Sequence, residues 1–170
     1  MTLADLNKLG YDAAREEFLK CCGSVRWART MTSRRPFLNR SKLFETSDLE
    51  WSRVSQTDWK EAFACHPKIG DVGSLRKKFS STSGWAEREQ SGVLSADEEV
   101  LQRLMTGNEL YEQQFGYIFI VCATGKSAGE MLALLDQRLS NDPEKEILVA
   151  ADEQRKITRL RLEKLLTPEG

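Results

Sequence analysis

The sequence predicts an all-α fold, a single-domain helical bundle over residues 1–170, and three observations carry that prediction. Apolar residues recur at three- and four-residue spacing along most of the chain, and capping and stop signals bracket the segments so defined. Only Tyr117 to Cys122 has strand character, and a lone strand has nothing to pair with. A chain of 170 residues folding as one domain buries roughly 68–70% of its unfolded surface, enough for a core of this kind.

The elements follow in order. Tyr11, Ala14, Phe18 and Cys21 or Cys22 form one face of a short amphipathic helix, with Asp12 as its N-cap and Gly23 closing it. A second helix runs from Ser24 through Val25, Trp27, Ala28 and Met31. It gives way to the polar stretch Ser33 to Phe37, where Pro36 forces a change of direction. Asp48 to Val54 and Thr57 to Cys65 read as two further helices. In the latter, Trp59, Ala62 and Phe63 point inward, Thr57-Asp58 stands at the positive end, and Pro67 stops the element. Gly70 to Ser91 is rich in Gly and Ser and reads as a long surface excursion, a kind of loop that is often functional. Ser95-Ala96-Asp97-Glu98 has the form of a capping box, opening a helix through Val100, Leu101, Leu104, Met105 and Tyr111. Ser127-Ala128-Gly129-Glu130 repeats the device ahead of Met131, Leu134, Leu135 and Leu139. Asn141-Asp142 then caps a long last helix that has Pro143 first and Glu144 and Glu146 behind it. Ile147, Leu148, Ala151, Ile157, Leu160, Leu162 and Leu165 are its apolar positions, and Lys164 stands near its far end. Tyr117 to Cys122 is left as a buried helix or an extended core piece.

Charge and cysteine content narrow the function classes. Lys plus Arg total 25 against 26 for Asp plus Glu, a formal net charge of −1, so no strong field is available to hold nucleic acid or an anionic membrane surface. The longest apolar run, Tyr117 to Ala123, falls far short of the ~20 residues that span a bilayer. Met1-Thr2-Leu3-Ala4-Asp5 lacks the pattern of a secretory signal, and the terminal Thr167-Pro168-Glu169-Gly170 is not a peroxisomal address. The expected location is the cytoplasm. Cys21 and Cys22 are adjacent, Cys65 and Cys122 lie on apolar stretches, and no CxxC pair occurs, so reduced and mostly buried thiols are expected.

Chemistry at neutral pH points first to His66, the only histidine, because no other side chain has an unperturbed pKa in that range. It follows an apolar helix, precedes Pro67 and stands at the mouth of the glycine-rich excursion. It reads either as a general acid or base or as a capping residue. Trp85-Ala86-Glu87-Arg88-Glu89-Gln90 is a second set: on a helix Glu89 and Gln90 diverge by about 100°, so both face a site only at a helix end, and a solvated acidic turn is the plain alternative. Arg159 and Arg161, two apart, cannot share a helix face. An inward guanidinium among leucines would call for an anionic partner or ligand, while an outward one would snorkel. A metal centre is not expected, since one histidine and ill-spaced cysteines leave it short of ligands. Nor is there a nucleophile elbow or a phosphate-binding glycine loop.

Five motifs, in order, give these residues a context. Arg35-Pro36-Phe37, His66-Pro67-Lys68-Ile69-Gly70-Asp71, Glu89-Gln90, Tyr111-x-x-x-Phe115-Gly116 leading into Phe119-Ile120-Val121-Cys122-Ala123, and Ile157-Thr158-x-Leu160-Arg161-Leu162 span nearly the whole chain. Together they resemble the family of OHCU decarboxylase, the 2-oxo-4-hydroxy-4-carboxy-5-ureidoimidazoline decarboxylase. The resemblance implies an all-α, cofactor-free, metal-free enzyme, commonly a homodimer, that removes CO2 from OHCU to give (S)-allantoin in urate degradation. It implies His66, Glu89 and Arg161 as catalytic residues, with Glu89 and Gln90 orienting ligand and imidazole. Pro67, the stretch Ala86-Glu87-Arg88-Glu89-Gln90, and Phe119, Ile120, Val121, Cys122 and Ala123 would bind substrate. Arg161 is preferred to Arg159 because it occupies the Leu-Arg-Leu position of the pattern. One departure stands out: many relatives carry serine where this chain has Ala86. An inactive helical interaction module, or a lyase or hydrolase acting on another ureido acid, are the competing readings. Whether His66 first removes the substrate hydroxyl proton or only donates later is left open by the sequence, as is association with the preceding hydrolase.

Overall fold

The computed structural model describes residues 1–68 and 91–168, with side chains from Glu98 onward in the second stretch. The expected excursion from Gly70 therefore lies outside the described residues up to Gln90. Among the described residues the fold is all-α: α1 Leu3–Lys8, α2 Tyr11–Cys21, α3 Val25–Ser33, α4 Arg40–Arg53, α5 Gln56–Ala64, α6 Ser91–Phe115, α7 Ala128–Leu139 and α8 Pro143–Leu165. They fall into two compact units.

The first unit holds α1 to α5, residues 120–122 and α8 from Ile147 onward. Serine and asparagine side chains open its helices by accepting from orphan backbone N–H groups. Ser24 accepts from Trp27 N, Asn39 from Lys42 N and Ser55 from Asp58 N, and Asp58 returns the bond to Ser55 N. Here α2 packs on α3, which also meets α4 and α5. Their shared core contains Leu6, Phe18, Trp27, Met31, Leu43 and Phe63, all fully buried. The Phe18 ring stands edge-on to Trp27 at 5.9 Å and to Phe37 at 6.3 Å, the arrangement that aromatic quadrupoles favour. Indole N–H groups are satisfied by backbone: Trp27 donates to Ser47 O at 3.2 Å, and Trp51 donates to Ala151 O of α8 at 2.8 Å. Arg35 gathers the end of α1, donating to Leu6 O at 2.8 Å and Leu9 O at 2.7 Å.

The second unit holds Pro67 and Lys68, residues 91–119 and 123–146. Its α6 and α7 pack along each other, and Gly107 lets them approach so closely that a β-carbon there would lie 2.5 Å from Leu135 Cδ2. Gly116, with φ 81°, ends α6 in the left-handed conformation, its N–H returning to Glu112 O at 2.8 Å. Residues 117–123 then run without helix or strand pairing. Tyr111 is the hub of an aromatic cluster, 4.6 Å from Phe115, 5.2 Å from Phe119 and 5.9 Å from Tyr117 between ring centres.

Beneath that cluster lies a buried polar network. Glu146 is fully buried, and one of its oxygens accepts from Arg138 at 2.6 Å and from the Tyr111 hydroxyl at 2.6 Å. Its other oxygen accepts from Asn141 Nδ2 at 2.9 Å. The Arg138 guanidinium also sits 4.5 Å over the Phe119 ring. Burial, and then the hydrogen bond to Glu146, hold the Tyr111 hydroxyl far above its ordinary pKa, so it remains a donor.

Several local expectations need correcting. Gly10, not Asp12, occupies the N-cap of α2, and Asp12 is in the first turn. α4 begins at Arg40 rather than Asp48, because Asn39 supplies a cap. Ser95 lies within α6, which already includes Ser91: a capping box permits a helix start but does not forbid helix before it. On α8 Leu148 is 58% exposed, and the buried face runs through Glu146, Ile147, Ala150, Ala151, Glu153, Gln154, Thr158, Leu162 and Leu166.

The Glu146 network yields a stability prediction. Glu146→Leu removes the carboxylate that meets a buried guanidinium, and breaking such a pair from one side costs about 3–5 kcal/mol. Urea unfolding followed by circular dichroism should show the midpoint fall accordingly, with a smaller loss for Asn141→Ala at the half-buried side of the network.

Candidate functional site

The site is built at the end of α5. Gln56–Ala64 stops where Cys65 takes the C-cap position and Pro67 follows, and His66 N donates to Phe63 O at 3.2 Å in the closing turn. This places the half-buried imidazole just past the last helical turn. Its Nε2 lies 2.5 Å from Gln154 Oε1. Gln154 is fully buried on α8, and its amide nitrogen donates to Thr158 Oγ1 at 3.1 Å, one turn further along. Thr158, also buried, stands beside the Cys22 thiol at the end of α2. A continuous polar chain of His66, Gln154 and Thr158 therefore joins the end of α5 to α8.

Arg161 extends the same side of α8, since positions 154, 158 and 161 recur at helical spacing. It is half-buried, and its Nη1 lies 3.5 Å from Cys21 O. Arg159 points elsewhere: its guanidinium is 4.7 Å over the Phe44 ring and pairs with Asp48 at 3.7 Å and Glu163 at 3.6 Å. Of the two arginines, the stripe carrying Gln154 and Thr158 takes Arg161.

The neighbouring thiols are not reactive groups. Burial pushes Cys21 up to about 12 and Cys22 up to about 11, outweighing the attraction of Arg161 for either thiolate. Cys65, expected among the buried thiols, is exposed, because it caps the helix rather than continuing its apolar face. Its Sγ and Cβ instead press on Gly23, where a β-carbon would lie 2.4 and 2.6 Å from them. Glycine is needed there for closeness.

The remaining site residues of the sequence reading divide as follows. Ile120 and Cys122 are buried and Val121 half-buried in the first unit. Phe119, buried against Tyr111 and Arg138, and Ala123, half-buried, belong to the second. Pro67 is exposed and lines a shallow hollow of that unit with Lys68, Asn108, Glu112, Ile118 and Phe119, where Lys68 pairs with Glu112 at 2.9 Å. Ala86, Glu87, Arg88, Glu89 and Gln90 lie outside the described residues. Among the described residues no group of three His, Cys, Asp or Glu side chains is placed to hold a metal ion. No helix among them is long and apolar enough to cross a membrane.

Sequence reasoning missed Gln154 and Thr158 as partners of His66. The signal was present in α8, where a glutamine and a threonine occupy the i and i+4 positions of the inward stripe, in register with Ile147, Ala151 and Leu162.

Comparison with known proteins agrees with this architecture. The family model described as OHCU decarboxylase matches residues 7–163. The uric acid degradation bifunctional protein TTL of Arabidopsis thaliana is 35% identical over 164 residues, which cover 95% of this chain. The chain spans about half of that bifunctional protein's length, 50%. The 2-oxo-4-hydroxy-4-carboxy-5-ureidoimidazoline decarboxylase of Amia calva is 30% identical over 98% of this chain and 95% of its own. Among solved structures, an OHCU decarboxylase crystallised in the presence of (S)-allantoin superposes with a TM-score of 0.72 at 37% identity, covering 90% of this chain and 99% of that one.

Two predictions test the local geometry. In the native protein at pH 8, iodoacetamide should modify Cys65 first, while Cys21 and Cys22 react only after unfolding. The sign follows from their raised values, which leave almost no thiolate at that pH; mass spectrometry of quenched digests reads the order. Gly23→Ala should force Cys65 aside and lower stability by about 1–3 kcal/mol, the usual cost of overpacking. Thermal unfolding checks the effect.

Proposed function

The chain belongs to the OHCU decarboxylase family, and on that premise we propose that it removes CO2 from OHCU to give (S)-allantoin in urate degradation, with His66 handling the proton. The observation that carries this reading is the seating of the only imidazole in the chain. It stands half-buried at a helix end, fixed through Nε2 by a buried carboxamide at 2.5 Å.

Loss of CO2 leaves an electron pair that the substrate ring delocalises, and a single enantiomer of product requires a proton delivered to one face. A positioned imidazole supplies that delivery, a contribution typically of 10²–10⁴-fold. Arg161, half-buried at the same side of α8, is the proposed partner of the substrate carboxylate, where a partly dry setting strengthens its attraction. Glu89 is proposed as the third catalytic group. Pro67, residues 86–90 and the backbone from Phe119 to Ala123 complete the proposed substrate contacts, the backbone through its N–H and C=O groups. The chemistry asks for no cofactor or metal. A homodimer in the cytoplasm, with no nucleic-acid or membrane partner, is part of the same proposal.

A coupled assay that generates OHCU from urate in situ tests it, run with excess chelator and followed by circular dichroism. The protein should produce (S)-allantoin faster than the spontaneous racemic decay. His66→Ala should lose about 10²–10⁴-fold of that acceleration while keeping the far-ultraviolet spectrum. Racemic product at the background rate from the unaltered protein would refute the activity, and near-normal turnover by His66→Ala would refute the role of His66.

A further inference from the structure

The His66, Gln154, Thr158 chain has a direction. A glutamine side chain has one accepting end and one donating end, and which faces the imidazole decides which nitrogen of the neutral ring carries hydrogen. The amide nitrogen of Gln154 donates to Thr158 Oγ1 at 3.1 Å. The carbonyl end of Gln154 is then what faces His66, and Nε2 must donate to it. Burial reinforces the arrangement: Gln154 is fully buried and Thr158 nearly so, so water does not readily replace either bond, and reversing the carboxamide would require the whole chain to reverse.

We propose that Gln154 is a positioning residue for His66, its buried carboxamide accepting from Nε2–H and fixing the imidazole in the tautomer whose Nδ1 exchanges the proton with the substrate. The assignment rests on the reading of His66 as the proton handler. It adds an anchor on α8 to the orienting role that the resemblance gives Glu89. Because the anchor is a neutral amide, it orients the ring in both protonation states: Nε2 keeps its hydrogen throughout, and the proton that comes and goes does so at Nδ1. Thr158 acts one step further out, holding the carboxamide the right way round.

A single histidine makes the test direct. Protein labelled with ¹⁵N-histidine contains one imidazole, and long-range proton–nitrogen correlation spectra report which nitrogen of the neutral ring is protonated. The unaltered protein should show the Nε2–H tautomer. Gln154→Met, similar in size and unable to accept, should lose that preference, with kcat falling about 10- to 100-fold, the range typical of outer partners that orient an imidazole, and KM nearly unchanged. A neutral ring protonated at Nδ1 in the unaltered protein overturns the proposal, and does so even if the variant fails to fold. So does a Gln154→Met protein in which either the tautomer or kcat stays as it was: a fall in kcat with the tautomer intact would be structural loss only. Failure of the unaltered protein to accelerate OHCU decay would instead strike the proposed activity, while its nitrogen spectrum would still report whether Gln154 holds the ring.

Discussion

A buried polar side chain must find its hydrogen-bond partners inside the protein, and that constraint governs the two most informative parts of this molecule. Within its own compact unit, Glu146 is completely buried and draws Arg138, Tyr111 and Asn141 onto its two oxygens. In the other unit, Gln154 is completely buried and is met by His66 on one end and Thr158 on the other. An unsatisfied amide or carboxylate in either place would cost several kcal/mol. The partners are therefore fixed in position as firmly as apolar core residues are by packing. For Glu146 the outcome is an ordered aromatic cluster and a pinned Phe119. For Gln154 it is an oriented imidazole.

The motifs that identify the family separate, on this structure, into those that build and those that act. Arg35-Pro36-Phe37 builds: Arg35 gathers the carbonyls ending α1, and Phe37 exchanges two 2.9 Å bonds with Asn7 while its ring meets Phe18. Tyr111, Phe115 and Gly116 also build, turning the chain out of α6. The proposed acting residues, His66 and Arg161, are both half-buried side chains of the first unit. Gly23 also builds, since its missing β-carbon admits Cys65 and so helps set the end of α5.

Much of this was legible in the sequence because periodicity and caps act locally. Ser24, Ser127 and Asp142 open their helices as read, and the all-α class follows from the same signals. The misplaced starts of α2, α4 and α6 share a form: Asp12, Asp48 and Ser95 all lie inside their helices, because a residue able to cap a helix does not exclude helix before it. The partners of His66 were hidden for a different reason. Gln154 is 88 residues away from it, and only the rotation of α8 decides which of its polar positions face inward. Counting Leu148, Ile157 and Leu160 among the apolar positions put the stripe slightly out of register, and the polar Gln154 and Thr158 were not counted on it although both are buried.

The choice of an amide as the anchor has a chemical consequence. A carboxylate at the same position would attract the imidazolium with about 4 kcal/mol at an effective dielectric of 20 and a separation of roughly 4 Å, trapping the ring in its charged form. Gln154 makes the hydrogen bond without that bias, so the ring can cycle between neutral and charged forms while its orientation is kept. On the proposed reading Gln154 and Thr158 set the orientation of the ring, and the charges around it, the substrate's own carboxylate included, set its proton affinity. In the proposed reaction CO2 leaves as a neutral molecule, and the negative charge of the carboxylate stays behind as the electron pair that the substrate ring delocalises. That charge is what draws the proton from Nδ1 of the imidazolium to the ring of the product.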